Sequence, residues 1–243
     1  MILGLVVALV VCGCKKEEPE TEQEKPGKEV PMGNTLQWLG HASFKIRYDD
    51  NVIYIDPWKL SEAAHDATLV LVSHSHSDHY SDEDIARAAG PETKIIASAD
   101  VIKKEGKGQA LTPGEKINVD GVTITGVAAY NINKRYHPKA NNWLGFLIDI
   151  GSVRIYYAGD TDLTEQMKTL KDIDIALLPV GGTYTMNAEE AATAVDYIKP
   201  NRAIPYHWGD IVGKRADAER FAENAKCEVT VLKPGQTLKL NAD

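Results

Sequence analysis

The stretch that decides the fold is Thr68-Leu69-Val70-Leu71-Val72-Ser73-His74-Ser75-His76-Ser77-Asp78-His79. Its first five residues form a continuous apolar run, which is typical of a strand buried in a sheet. In extended chain, residues i and i+2 project to the same side, so His74 and His76 can bind one ion together. Asp78 and His79 follow where the chain turns toward a predicted helix, so we expect them to point toward a second ion.

Imidazole and carboxylate side chains are the ligands that zinc and neighbouring transition metals use in proteins. The chain has seven histidines, and three of them lie between positions 74 and 79 beside an aspartate. The alternative is a polar loop whose histidines are incidental. A metal site is the better explanation, because polar groups placed without partners at the end of a buried strand are costly.

The rest of the sequence predicts short strands first and then helices that alternate with strands. Further strands are predicted at residues 35–39, 44–48, 52–55, 94–97, 119–127, 143–150, 153–157, 173–178, 202–206 and 227–232. Helices are predicted at residues 81–89, 187–199 and 214–225. Two groups of strands with helices between them favour two sheets packed face to face and covered by helices.

The pattern His-x-His-x-Asp-His after an apolar strand resembles the signature of the metallo-β-lactamase superfamily. Residues 38–44, Trp-Leu-Gly-His-Ala-Ser-Phe, look like the opening strand and turn of its branch that contains ascorbate-6-phosphate lactonase and uncharacterised hydrolases. Gly159-Asp160 and Pro205-Tyr206-His207 resemble two later motifs, each at the end of a predicted strand. The resemblance implies an α/β fold, the αββα sandwich, with two mixed sheets and helices on the outer faces, over residues 34–243.

The same resemblance implies ligands for one or two Zn²⁺ ions, with Mn²⁺ or Fe²⁺ as alternatives. These ligands are His74 and His76 for the first ion, Asp78, His79 and His207 for the second, and Asp160 between the two ions. A further histidine usually completes the first site, and by likeness to the branch it would fall near Asn131. His137, later in the same segment, could replace it or contact the substrate.

The implied activity is hydrolysis of an ester, a lactone or a phosphodiester by a metal-activated hydroxide. Asp78 is expected to orient the water and carry a proton. His41 is expected to polarise the substrate or support a ligand, unless it is a structural residue of its turn. Thr183 and Tyr184 lie in a loop that resembles a substrate-facing loop, although a plain strand-to-helix turn explains it too. Lys134 and Arg135 could receive an anionic substrate or form a solvated loop.

Two other functions remain open at this point. One is a nuclease or RNA-processing enzyme of the same superfamily, and the other is a non-catalytic surface lipoprotein that binds metal or ligand. A redox diiron protein is a further, minor alternative. The 27 basic and 35 acidic residues give a net charge of −8. An acidic chain lacks the basic face that supplies most nucleic-acid affinity, so we expect a small-molecule or lipid-like substrate and no nucleic acid.

The N-terminal residues predict export. Residues 2–11 are apolar but about half as long as a bilayer-spanning helix, which needs about 20 residues. Gly13-Cys14 then precedes a charged segment and resembles a bacterial lipobox, so residues 1–14 are interpreted as a signal peptide ending at a lipidated Cys14. Residues 15–33 would be a flexible charged tether holding an exported domain at the membrane. A short uncleaved membrane anchor is the alternative.

Overall fold

The computed structural model describes residues 1–2 and 33–240, and the description below concerns residues 33–240. The predicted signal peptide from residue 3 onward, the lipobox with Cys14, and the tether up to residue 32 lie outside the described residues. Within the described part of the chain, no helix has both the length and the apolar character needed to cross a membrane.

The described residues form two seven-stranded mixed sheets and four α-helices. The strands are β1 Thr35–Gly40, β2 Ser43–Tyr48, β3 Asn51–Ile55, β4 Ala67–Val72, β5 Ala89–Ala97, β6 Gln109–Ala110, β7 Lys116–Val119, β8 Val122–Ala128, β9 Leu144–Ile150, β10 Val153–Tyr157, β11 Ile175–Pro179, β12 Arg202–Tyr206, β13 Glu228–Val229 and β14 Thr237–Lys239. The helices are α1 Asp82–Ala88, α2 Ala99–Glu105, α3 Ala188–Ile198 and α4 Arg215–Asn224. The strand orders are β14-β1-β2-β3-β4-β5-β6 and β13-β12-β11-β10-β9-β8-β7.

The two sheets pack face to face, and strand periodicity explains which side chains lie between them. Ile53 and Leu69 of the first sheet belong to the same buried cluster as Phe146 and Ile155 of the second. Because side chains alternate along a strand, the neighbours of these residues face the opposite side of their sheet. The prediction of an αββα sandwich is therefore confirmed.

Helices cover the outer face of each sheet. On the first sheet, Val70 and Val72 point outward and form a second buried cluster with Ile85 of α1 and Val101 of α2. On the second sheet, α3 and α4 contact each other and lie against β11 and β12. Asn187 caps α3 by accepting a hydrogen bond from the backbone N–H of Glu190, as the sequence predicts for a helix that begins there.

Several predicted boundaries are wrong for identifiable reasons. The single strand predicted at 119–127 is two strands, because Asp120 and Gly121 both adopt positive φ and form a hairpin turn. The strand predicted at 227–232 is short, since pairing with β12 covers only Glu228–Val229. Helix α2 is absent from the sequence prediction, because its seven residues give too short an apolar pattern.

The carboxyl ends of several parallel strands meet at one end of the sandwich. Strands β3 and β4 run parallel in the first sheet, and β10, β11 and β12 run parallel in the second. Chemistry-bearing residues lie within three residues of the ends of four of these strands: Asp56 after β3, His74 after β4, Asp160 after β10 and His207 after β12. This end of the fold is where ligands bind in open sheets of this kind.

Candidate metal centre

Three histidines gather beyond the end of β4. His74 Nε2 lies 3.1 Å from His76 Nδ1, and His137 Nε2 lies 3.1 Å from the same His76 atom. The indole ring of Trp143 packs against all three imidazoles, with ring centroids 4.7 to 5.4 Å apart. The predicted pairing of His74 with His76 thus appears in the structure with His137 added.

A second cluster lies beside the first and comprises Asp78, His79 and His207. His79 Nε2 and His207 Nε2 are 3.4 Å apart, and they lie 3.7 and 3.8 Å from Asp78 Oδ2. The turn that begins after His76 thus brings Asp78 and His79 to His207, and the His79 ring also packs on His74 of the first cluster with centroids 4.1 Å apart. These atoms are close enough for one ion to contact all of them.

Asp160 lies between the two clusters. Its Oδ2 atom is 3.2 Å from His137 Nε2 and 3.2 Å from His207 Nε2, and its Oδ1 atom is 3.2 Å from His79 Nε2. One carboxylate thus contacts a histidine of the first cluster and two of the second. The bridging role that the resemblance implies for Asp160 stays a prediction, and this position between the clusters supports it.

Gly159 makes this position of Asp160 attainable. Its φ is +68°, a left-handed conformation that L side chains rarely adopt. A Cβ atom at this position would overlap the carbonyl oxygen of Leu144. A glycine is therefore needed for the chain to turn from β10 and bring Asp160 into the centre.

Hydrogen bonds to Asp56 and Ser73 fix the proton positions on two of the imidazoles. Asp56 Oδ2 accepts from His79 Nδ1 at 2.7 Å and from the hydroxyl of Ser73 at 2.6 Å. Since the single Ser73 proton goes to Asp56, the Ser73 oxygen accepts from His74 Nδ1 at 2.9 Å. In its neutral form each imidazole therefore turns an Nε2 lone pair toward the centre, which is the arrangement found in metal-binding histidines.

Sequence reasoning missed Asp56, although a signal was present. The side chain is fully buried and also accepts from the Ser73 N–H at 2.7 Å and from the Tyr157 hydroxyl at 2.6 Å. In the sequence, Asp56 ends an apolar strand, as the residues around His74 and Asp160 do. Its role depends on Tyr157, about a hundred positions away, and no local pattern shows that contact.

The electrostatics of the centre suit cations. Burial, reinforced by the nearby His79, holds the pKa of His74 well below its usual value, so His74 is neutral. Burial opposes charge on Asp160 as well, but His207 and His79 outweigh it and hold the pKa of that carboxyl well below its usual range. Burial also disfavours a charged His79, yet Asp160 and Asp56 raise the His79 pKa well above its ordinary value.

A divalent cation fits these residues. Asp160 Oδ1 is buried and has no hydrogen-bond partner among the described residues, and the imidazole lone pairs face it. Such an arrangement is costly unless a proton or a cation lies between the groups. The donor set of imidazole and carboxylate is the one that Zn²⁺ and related ions prefer. The chemistry of the centre and its unpartnered oxygen therefore fit metal ions, as the sequence predicts.

His41 lies at the edge of the second cluster. Its Nε2 atom is 3.0 Å from Asp78 Oδ2, and its ring packs on His207 with centroids 4.1 Å apart. Burial lowers the pKa of His41, so the neutral ring donates its Nε2 proton to Asp78. Burial would raise the pKa of Asp78, but this hydrogen bond and the nearby His79 lower it to about 2. His41 thus supports a predicted ligand.

His137 and Asn131, the two residues considered for completing the first cluster, lie at different places. His137 faces the metal cluster, whereas Asn131 lies behind it and donates from Nδ2 to the carbonyls of Tyr136 at 3.0 Å and Tyr184 at 2.7 Å. The backbone N–H of Asn131 also donates to the His137 carbonyl at 2.8 Å. Asn131 therefore closes the loop that carries His137, and its tentative assignment as a substrate or metal residue stays a prediction.

A cleft of about 270 Å³ opens over the centre. Its lining residues are His76, Ser77, Asp78, Tyr136, His137, Asp160, Tyr184 and Ile211. Tyr184 thus lies where the sequence predicts a substrate residue, whereas Thr183 is exposed and does not line the cleft. Lys134 does not face the cleft as a free cation, because it pairs with Asp162 and donates to the Thr185 carbonyl at 2.7 Å.

Comparison with known proteins agrees with this geometry. The family described as "Beta-lactamase superfamily domain" matches residues 35–207. A UPF0173 metal-dependent hydrolase of Thermococcus onnurineus is 35% identical over 224 residues, which cover 84% of this chain and 99% of that protein. A second, from Pyrococcus horikoshii, is 36% identical over 228 residues with the same coverage. A crystal structure of a Parabacteroides distasonis protein described as a metal-dependent hydrolase superposes with a TM-score of 0.74, at 32% identity over 84% of this chain and 94% of that one.

Proposed function

Because the chain belongs to the β-lactamase superfamily and is a metal-dependent hydrolase, we propose that it cleaves an ester, lactone or phosphodiester bond of a small molecule at this centre. Hydrolysis breaks the bond to the leaving oxygen, adds the hydroxyl of water to the acyl carbon or phosphorus, and leaves the proton on the leaving group. The observation that carries the proposal is the convergence of two ligand clusters on Asp160 beneath an open cleft.

The proposed ligands follow the two clusters. His74, His76 and His137 would hold one cation and Asp78, His79 and His207 another, and Asp160, which contacts histidines of both clusters, would be shared between the two sites. Zn²⁺ is the proposed ion, with Mn²⁺ or Fe²⁺ as substitutes that accept the same donors. When bound, such ions lower the pKa of water from about 15.7 toward 7 and act as Lewis acids toward a carbonyl or phosphoryl oxygen.

The chain itself orients these groups and shapes access to them. Asp56 and Ser73 hold the rings of His79 and His74 with their Nε2 atoms inward. His41 holds the Asp78 carboxylate, which stays ionised at neutral pH and lines the cleft. A carboxylate in this position can accept a proton from an incoming water and pass it to a leaving oxygen.

A substrate panel tests the proposal. Zn²⁺-loaded protein is assayed against 4-nitrophenyl acetate, bis(4-nitrophenyl) phosphate and δ-valerolactone. We expect turnover of at least one substrate, abolished by chelation and restored by Zn²⁺. Asp78→Asn is expected to lower turnover at least a hundredfold, whereas the control Asp82→Asn, at an exposed helix position, leaves it unchanged. Turnover that survives both chelation and Asp78→Asn, or no turnover of any of the three, would overturn the proposal.

The location of the protein is a separate proposal. We propose that a lipid on Cys14 holds the exported domain at the membrane through a tether that ends near residue 33. The support is the short apolar run followed by Gly13-Cys14 and a charged segment. In a bacterial host, Cys14→Ala is expected to move the protein from the membrane to the soluble fraction, and Cys227→Ala serves as the control. An unchanged distribution of Cys14→Ala contradicts the lipid anchor.

A further inference from the structure

Apolar side chains are exposed at the cleft and hardly elsewhere on the described domain. Among residues 33–240, the large hydrophobic side chains that lie exposed are Ile132, Tyr136 and Ile211. Tyr136 is 45% exposed and Ile211 is 51% exposed, and both line the cleft over the metal centre. Exposed apolar groups concentrated at a cleft indicate a binding surface, whereas scattered ones carry no such meaning.

Two tyrosines form a rigid part of the cleft lining. The rings of Tyr136 and Tyr184 meet edge to face with centroids 5.1 Å apart. Behind them, the buried amide of Asn131 donates to the backbone carbonyls of both tyrosines and thereby joins their two loops. Lys134 ties the same two loops together through the Thr185 carbonyl. The tyrosine pair is therefore held in place before any ligand arrives, which lowers the entropic cost of binding.

Ile211 lies at the tip of a short closed loop after β12. The N–H of Gly209 donates to the carbonyls of Val212 at 3.2 Å and Gly213 at 3.3 Å, which closes the loop around Ile211. An ion pair of 2.8 Å between Asp210 and Lys59 fastens the loop to the segment that follows β3. The loop begins two residues after the proposed ligand His207, so the position of Ile211 relative to the centre is well defined.

We propose that this apolar wall, formed by Tyr136, Tyr184 and Ile211, binds an aliphatic acyl chain of the substrate. The inference rests on the proposed function, since it assigns the acyl ester or lactone class to the same site. The cleft is lined both by proposed metal ligands and by this wall, which contains none, so the reacting ester group would lie at the ligands and the chain against the wall. A volume of about 270 Å³ holds about nine groups of the size of water, about 30 Å³ each, which accommodates the hexanoate part of an ester but not its leaving group as well.

The test is the dependence of rate on chain length. Zn²⁺-loaded protein is assayed with 4-nitrophenyl acetate, butyrate and hexanoate, and kcat/KM is measured for each. Burial of each added methylene is expected to raise kcat/KM about twofold to fourfold, so the hexanoate should exceed the acetate by about tenfold or more. Ile211→Ser is expected to lower the hexanoate-to-acetate ratio about fivefold, and Tyr136→Ser to lower it in the same direction.

Ile132→Ser is the matched control, because Ile132 is exposed on the same loop as Tyr136 and does not line the cleft. This variant should keep the wild-type ratio. A ratio near one in the wild-type protein, or the same drop in Ile132→Ser as in Ile211→Ser, overturns the assignment of the wall while hydrolysis itself stands.

A binding measurement separates failure of this inference from failure of the proposed function. Calorimetric titration of hexanoate and acetate into the Zn²⁺-loaded protein measures how tightly the chain binds to the wall, without requiring turnover. Hexanoate should bind at least tenfold more tightly than acetate, and Ile211→Ser should remove most of that preference. If no ester is hydrolysed but hexanoate still binds more tightly than acetate, the proposed hydrolytic function is wrong, while the assignment of the wall as the surface that binds the chain is retained. Equal binding of the two acids overturns the wall.

Discussion

Replacing Asp56 by asparagine tests whether a buried carboxylate outside the ligand set controls the metal centre. The substitution preserves shape and removes one acceptor oxygen. In the wild-type protein, the Oδ2 atom of Asp56 accepts hydrogen bonds from Ser73, His79 and Tyr157. In one orientation of asparagine, its NH₂ group replaces Oδ2 and faces the three donors. In the other orientation, the NH₂ group faces the backbone N–H of Ser73, so a donor meets a donor in either case.

The size of the effect follows from which donors can adapt. The hydroxyls of Ser73 and Tyr157 can rotate and accept a hydrogen bond, whereas His79 Nδ1 can accept only if its proton moves to Nε2. That move places the proton on the atom that faces the cluster. Loss of such a supporting partner weakens metal binding about 10- to 100-fold. One unsatisfied buried donor also lowers the free energy of unfolding of the metal-free protein by about 1–3 kcal/mol.

The assay is competition for Zn²⁺ against a chromophoric chelator, with urea unfolding of the metal-free protein in parallel. Asp66→Asn is the matched control, because Asp66 binds Lys45, Arg47 and Tyr54 away from the centre. Asp66→Asn should reduce stability and leave Zn²⁺ affinity unchanged. Wild-type affinity in Asp56→Asn would refute the reasoning, as would an equal loss of affinity in both variants.

Three further predictions follow from single contacts. His137→Ala is expected to lower the Zn²⁺ stoichiometry, counted by mass spectrometry, from two ions to one, and to reduce the change in tryptophan fluorescence on Zn²⁺ addition, because Trp143 packs against His137. Two retained ions would show that His137 is not a ligand. Gly159→Ala is expected to lower the free energy of unfolding by about 3 kcal/mol or more, because backbone strain and overlap with the Leu144 carbonyl combine. The control Gly121→Ala, which has open space around it, should lower it by only about 1–2 kcal/mol in urea unfolding. Equal losses in the two variants would contradict the overlap. Burial opposes ionisation of Asp66, but hydrogen bonds from Lys45 and Tyr54 lower the pKa of its carboxyl in the folded protein below the usual 3.8. The ionised Asp66 therefore stabilises the fold above its pKa in the unfolded chain, and this stabilisation is lost as pH falls through its pKa in the folded protein. The stability difference between wild-type protein and Asp66→Asn should therefore be constant from pH 5 to 7 and shrink below pH 4, and a difference that grows on acidification would contradict this sign.

Much of the fold follows from local patterns in the sequence. The apolar run at 68–72 and the periodic helix after Asn187 predict elements that the structure contains, because burial of one face imposes a period on the sequence. The turn at Asp120-Gly121 carries a recognisable hairpin signal that the strand prediction at 119–127 ignored. Strand β13 depends on its partner β12, and no local pattern in residues 227–232 defines where that pairing stops.

The candidate site divides in the same way. The order His74, His76, Asp78 and His79 is local, so alternation along an extended chain predicts which side chains pair. His137 reaches the cluster because its own backbone adopts φ +59° and Asn131 closes the loop around it, and neither feature has a sequence pattern. His41, Asp56 and His207 also adopt positive φ. Such conformations persist only where the surrounding structure enforces them, so the composition of the segment does not predict them.

The central claim is that two clusters of imidazoles and carboxylates form one binuclear centre bridged by Asp160. The most direct measurement is anomalous scattering from crystals of the Zn²⁺-loaded protein, recorded on both sides of the zinc absorption edge. We expect two peaks, one against His74, His76 and His137 and one against Asp78, His79 and His207, with Asp160 next to both. Peaks confined to surface carboxylates, or none at this end of the sandwich in fully loaded protein, would contradict it.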